Sequence, residues 1–252
     1  MRVIALILTL VLGTALLSGC ESTFDKAAAA RKAAGKVAKV DALNMTQMQG
    51  VTTKVLAILP SADGFTAAVV VQVDASNAGQ AAIWAPIAVT LLDAKGKAVG
   101  TNNIPGALPI LVHLPSVTGG SSTIYVNDQI LLEGTPASAK VVVGGTFAPG
   151  DGLGELKTTK PKIVPDPSFG TSWSTTVTNT TSVRQEAIVV QAVVTQNGKI
   201  VGAGTANIDG LDPGASMDVT GFFIGSDKGD VSITAPASNG KGGVGAPPAK
   251  PA

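Results

Sequence analysis

One cysteine, one histidine, one tyrosine and two tryptophans are all that 252 residues provide of the side chains on which most site chemistry rests. A structural zinc takes about four Cys or His ligands, and Cys20 with His113 supplies two, so no metal site is expected. A single Cys forms no disulfide within its own chain. A Ser-His-Asp or Cys-His catalyst would have to use His113 as its base, and no Gly-x-Ser-x-Gly elbow accompanies it. Charge is sparse too. At 14% charged residues and a formal +1, there is no basic field for nucleic acid, and 4% aromatics leave few surfaces for base stacking. Phosphate loops are missing: no Gly-x-x-x-x-Gly-Lys occurs, and Gly202-Ala-Gly204 lacks the later glycine of a dinucleotide turn. The expectation is a chain with no catalytic residue, no cofactor and no nucleic-acid partner.

What is present begins with an address. Residues 3–17 are apolar apart from Thr9, Gly13 and Thr14. That is short of the roughly 20 residues needed to cross a ~30 Å hydrocarbon core, and it suits the apolar core of a secretory signal. Leu17-Ser18-Gly19-Cys20 follows: an aliphatic residue, two small residues and the only thiol of the chain. The segment resembles the lipobox of bacterial lipoprotein precursors. That resemblance implies cleavage after Gly19, acylation of Cys20 by fatty acids such as palmitate, and an extracytoplasmic address on the cell membrane or outer membrane. Two acyl chains make a stable anchor, because each buried CH₂ contributes about 0.8 kcal/mol. A lone Cys at this place also leaves no second thiol to mispair outside the cytoplasm. The alternative, a short buried helix with an incidental Cys, leaves the two small residues before Cys20 unexplained. Glu21 stands where an Asp would resemble an inner-membrane retention signal, so both membranes stay open.

Residues 20–50 have the composition of a tether. The stretch 24–40 is rich in Ala and Lys, which favours helix except at Gly35, but no apolar stripe marks a core-facing side. Lys26, Arg31, Lys32, Lys36 and Lys39 could lie on anionic lipid, each contributing up to roughly 1 kcal/mol. Alternatively the segment is a solvated spacer, helical or flexible.

From residue 51 the pattern turns to short β-branched runs between Gly, Pro, Asn and Asp. In residues 65–74, Phe65, Ala67, Val69, Val71 and Val73 share one face of a strand, with Thr66, Gln72 and Asp74 on the other. The grammar repeats about a hundred residues later. Gly96-Lys-Ala-Val-Gly100 matches Gly198-Lys-Ile-Val-Gly202, and the apolar runs 87–92 and 188–194 precede them. Val73-Asp-Ala-Ser-Asn77 parallels Val177-Thr-Asn-Thr-Thr181, and Leu114-Pro parallels Leu211-Asp-Pro-Gly214. Asn197-Gly198 is a two-residue hairpin signal, since both residues accept positive φ. Regular short strands with turn signals predict antiparallel sandwiches. The order of these motifs, with Leu91-Leu92-Asp93 in one copy and Leu211-Asp-Pro-Gly214 before Phe222-Phe223 in the other, resembles the bacterial Ig-like domains called FxLYD-type modules. The first copy lacks the Tyr and carries Pro-Ser-Val where Pro-Gly stands in the second. The resemblance implies an Ig-like fold in envelope proteins and brings no reaction with it.

The expected organisation is an all-β chain: signal peptide 1–19, lipid-anchored tether 20–50, Ig-like domain 51–147, linker 148–164, second Ig-like domain 165–237 and a disordered tail 238–252. The two sandwiches stand in tandem after the signal and tether. Trp84 and Trp173 are expected to fill one core each, and His113 to be structural. Asp209, Asp212, Asp218, Asp227 and Asp230 lie around turns without the spacing of a calcium loop. Asn44-Met-Thr46 and Asn179-Thr-Thr181 match a glycosylation sequon at near-chance frequency. The function expected is that of a non-catalytic binding or structural module, held at the membrane by Cys20 and meeting a protein partner in the envelope. A carbohydrate- or peptide-binding lipoprotein is the alternative, and an envelope hydrolase the more distant one.

Overall fold

Alternation of apolar and polar residues with period two sets most of this chain into strands. A computed structural model describes residues 45–103, 109–166 and 170–239, and contains no α-helix among them. The signal, Cys20 and nearly all of the tether lie outside the described residues, as do residues 240–252. The strands all belong to one unit that begins at Val40.

The first sandwich is made of β1 (Val51–Pro60), β2 (Thr66–Ala75), β3 (Gln80–Leu92), β4 (Ala98–Thr101), β5 (His113–Thr118), β6 (Ser122–Leu131), β7 (Ser138–Val143) and β8 (Ala148–Pro149). One sheet runs β1-β2-β6. In the other, β3 is central: β4 and β5 follow one of its edges, while β7 and β8 follow the opposite edge. Val69, Val71, Val73, Ile87, Val89, Leu91 and Leu114 fill the space between the sheets.

The second sandwich repeats this plan with β9 (Lys157–Thr158), β10 (Lys162–Asp166), β11 (Gly170–Thr178), β12 (Gln185–Gln196), β13 (Lys199–Leu211), β14 (Ser216–Phe222), β15 (Ile224–Gly225) and β16 (Asp230–Thr234). One sheet runs β10-β11-β14, with β9 also on β11, and the other runs β15-β13-β12-β16. All pairings are antiparallel. The described residues are therefore all-β, with two Ig-like sandwiches in tandem. Between them, residues 148–164 carry β8, β9 and the start of β10, so this stretch is paired to both modules.

The copies differ at one place that matters. β12 and β13 form a long hairpin closed by Asn197 (φ 51°) and Gly198 (φ 72°), as the Asn-Gly signal predicts. In the first copy the returning strand is broken into β4 and β5 by residues 102–112, which end in a 3₁₀ turn at Pro109–Val112. Each copy also has one residue of positive φ near the start of its central strand, where one ladder pair is missing and the register is unchanged. Trp84 (φ 51°) interrupts β3 and Ala187 (φ 50°) interrupts β12, both in the left-handed region that costs an L-residue about 1–2 kcal/mol.

Candidate functional site: the joint between the modules

β2 is buried on both faces. Ala67, Ala68, Val69, Val70 and Val71 all have zero exposure. Ala67, Val69 and Val71 point into the first core, whereas Ala68 and Val70 meet the second module. With Val126, and flanked by Leu56, Leu59 and Ile124, they pack on Ala203, Val193, Ile200 and Ile224. The outer face of β1-β2-β6 is thus laid against the outer face of β12-β13. Such an apolar layer is stabilised at about 25 cal/mol per Å² removed from water.

Polar groups inside this layer are satisfied across it, as burial requires. Val126 N donates to Gln191 Oε1 at 2.6 Å. The Asp128 carboxylate accepts from Thr205 N at 2.7 Å and from Thr205 Oγ1 at 2.6 Å. Burial raises the Asp128 carboxyl above the ordinary carboxylate range, and the two bonds from Thr205 pull against that rise.

Beside the joint, Asn102 and Leu111 are held in a buried polar knot. Leu111 O accepts from Tyr125 Oη, from Asn102 Nδ2 at 3.2 Å and from Asn127 Nδ2 at 3.1 Å. Asn102 also donates to Ile87 O at 2.9 Å and accepts from Val89 N at 2.8 Å. It thereby takes over the ladder bonds lost where β4 stops. Burial pushes the Tyr125 hydroxyl up to about 12, against the opposing bonds from Asn127 and Asn102.

The residues singled out by sequence separate clearly. Trp173 fills the second core with zero exposure and lies against Phe223 at 6.4 Å between ring centroids. Trp84 does not fill the first core. The positive φ at Trp84 turns its half-buried ring to the joint, edge-on to His113 at 6.1 Å, and Trp84 Nε1 donates to Ser238 O at 3.2 Å. The cleft lined by His113, Tyr125, Gln191 and Pro236 amounts to about 20 Å³, room for a single water. Asn179 of the second sequon is fully buried, with its amide donating to Val183 O and Leu211 O, each at 2.9 Å. It is a structural turn residue, and its amide is closed to modification in the folded chain.

The carboxylates do not converge. No group of three or more His, Cys, Asp or Glu could hold a metal ion among the described residues. Arg184 bridges Asp212 at 2.6 Å and Glu186 at 3.3 Å, all three exposed, so the trio contributes little to stability. Among the described residues, no helix is long and apolar enough to cross a membrane.

Among the described residues, the large apolar side chains that are exposed are Phe65, Val164, Met217 and Phe222. Val164 and Phe222 flank Ser172 across β10, β11 and β14. The rest of that outer face on β11 and β14 is Ser and Thr apart from Asp218, and β10 adds Lys162 beside Ser174. Its hydroxyls are paired within the sheet, Thr176 to Asp218 at 2.6 Å and Thr178 to Ser216 at 2.8 Å.

The sequence alone did not point to the joint. The available signal was the unbroken apolar run Ala67-Ala-Val-Val-Val71 in β2, which marks a strand covered on both faces.

No family model and no curated protein matches the chain. Among solved structures, red sea bream transglutaminase is similar over 86% of this chain and 32% of that one, at 12% identity. The chain thus spans about a third of that protein's length, and the TM-score of 0.25 transfers neither fold nor activity.

Proposed function

We propose that this chain is a lipid-anchored protein of the cell envelope whose two Ig-like modules act together as a non-catalytic interaction or structural unit. In this reading Cys20 carries the acyl anchor on the extracytoplasmic face of the cell membrane or outer membrane. The modules then present their free surfaces to a protein partner. The lipobox-like segment 17–20 supports the anchor, and nothing in it requires a reaction.

One observation carries the non-catalytic reading: the side chains able to do chemistry are engaged in structural contacts at or beside the joint. His113 lies against Trp84 at the joint, Tyr125 is tied into the knot around Leu111 O, and Asp128 is bound by Thr205. A carbohydrate platform built on tryptophan is disfavoured, because Trp173 is buried and Trp84 faces the joint.

In-cell cross-linking of the wild-type protein and a Cys20→Ser form, followed by mass spectrometry, tests the proposal. A defined protein neighbour captured with the wild type and lost with Cys20→Ser supports an anchored interaction unit. Capture of glycan or lipid alone contradicts it and favours a ligand-binding lipoprotein.

A further inference from the structure

The chain does not leave the second module at the end of β16. Leu156 N donates to Ala235 O and Ala237 N to Gly154 O, each at 2.8 Å, so this stretch is paired to the segment between the modules. Gln185 then grips the next two residues. Its Oε1 accepts from Ser238 N at 2.7 Å, from Ser238 Oγ at 3.2 Å and from Asn239 N at 2.8 Å, and its Nε2 donates to Asn239 O at 3.0 Å. Glu186 N donates to Ser238 Oγ at 3.0 Å, and Asn239 Nδ2 to Arg184 O at 2.9 Å. Ala235 and Ser238 have zero exposure, and Gln185 is itself fully buried. From the first module, Trp84 reaches the same segment with Nε1 on Ser238 O at 3.2 Å.

We propose that residues 235–239 are a strap that locks the angle between the two modules. The apolar layer around Val70 and Ala203 is a single patch, and two bodies joined by one patch can rock about it. The strap adds a second point of attachment on a different strand of the first module. It ties β3 through Trp84 to the start of β12 through Gln185, while the patch ties β1, β2 and β6 to the middle of β12 and to β13. The left-handed backbone at Trp84 aims the indole at the strap. Short polar residues serve here because an amide side chain such as that of Gln185 both donates and accepts, and so pairs with the strap's N–H and C=O groups together.

Cys20 is the only cysteine of the chain, so a Cys20→Ser form carrying Lys95→Cys and Lys199→Cys takes spin labels only at two exposed turns, one per module. Distance distributions between the labels are measured for this chain, for the same chain ending at Asn239, for the chain ending at Thr234, and for Trp84→Phe. One narrow distribution is expected for the first two, and a broadened one for the last two. Trp173 emission reports whether the second core persists; if the chain ending at Thr234 does not fold, Trp84→Phe decides. An unchanged narrow distribution in Trp84→Phe overturns the proposal. So does broadening in the chain ending at Asn239, which would place the lock beyond the strap.

Discussion

Asp128 accepts two hydrogen bonds from Thr205 of the other module, from N at 2.7 Å and from Oγ1 at 2.6 Å. Burial lifts the folded-state pKa of this carboxyl above its ordinary value. The favourable contribution from that shift is complete below the ordinary carboxylate range and is lost as pH rises through the raised value. Replacing the group by Ala leaves Thr205 N and Oγ1 buried without partners, at a cost of about 2–4 kcal/mol. Urea unfolding of the wild type and Asp128→Ala across pH 4–7 checks both points. The variant should be less stable throughout and should lack this downward slope.

Tyr125 is the only tyrosine in the chain, so its titration is readable without assignment. Burial raises it to about 12. A raised folded pKa means stability that is full below the free-phenol value near 10 and is lost as pH climbs through about 12. Phenolate absorbance should therefore appear together with loss of the near-ultraviolet circular dichroism signal. Tyr125→Phe should remove this alkaline transition and lower neutral-pH stability by about 1 kcal/mol, because Asn102 and Asn127 still satisfy Leu111 O.

Trp173 sits directly over Gly221. A Cβ at Gly221 would meet Trp173 Cζ2 at 2.5 Å, Cε2 at 2.7 Å and Thr205 O at 2.9 Å. Gly221→Ala should therefore lower stability by about 1–3 kcal/mol through overpacking. Gly154→Ala, where no atom lies within 4 Å of the added carbon, should be close to neutral. Thermal unfolding followed by Trp emission compares the two.

Half-buried Asp74 has a lowered pKa, first because Gln72 donates to its carboxylate at 2.8 Å, with Ser122 and Lys54 adding to the effect. Its contribution is present above the ordinary carboxylate value and fades as pH falls through the lowered one, the reverse of Asp128. Gln72→Leu should move the Asp74 carboxyl resonance, followed by NMR, back toward the free-acid value.

The strands and their duplication were legible because each copy alternates: β11, Gly-Thr-Ser-Trp-Ser-Thr-Thr-Val-Thr, puts Trp173, Thr175 and Val177 inward and Ser172, Ser174, Thr176 and Thr178 outward. The Asn197-Gly198 turn was legible for the same local reason. The joint was hidden because it depends on what covers the second face of β2, and that is decided by residues more than a hundred positions away. Trp84 was misplaced in the core because its direction is set by a left-handed backbone conformation, which composition does not announce. Ser238 and Asn239 look like a tail by polarity; their burial depends on one reciprocal amide, Gln185. The knot around Leu111 O was equally opaque, since Asn102, Tyr125 and Asn127 come together only when β4 stops short.

The account stands or falls on Cys20, and the most direct measurement is the intact mass of the mature protein extracted from membranes in detergent. The predicted result is a chain that begins at Cys20 and carries the added mass of its acyl chains. A chain whose Cys20 is unmodified, or one that retains residues 1–19, would contradict it.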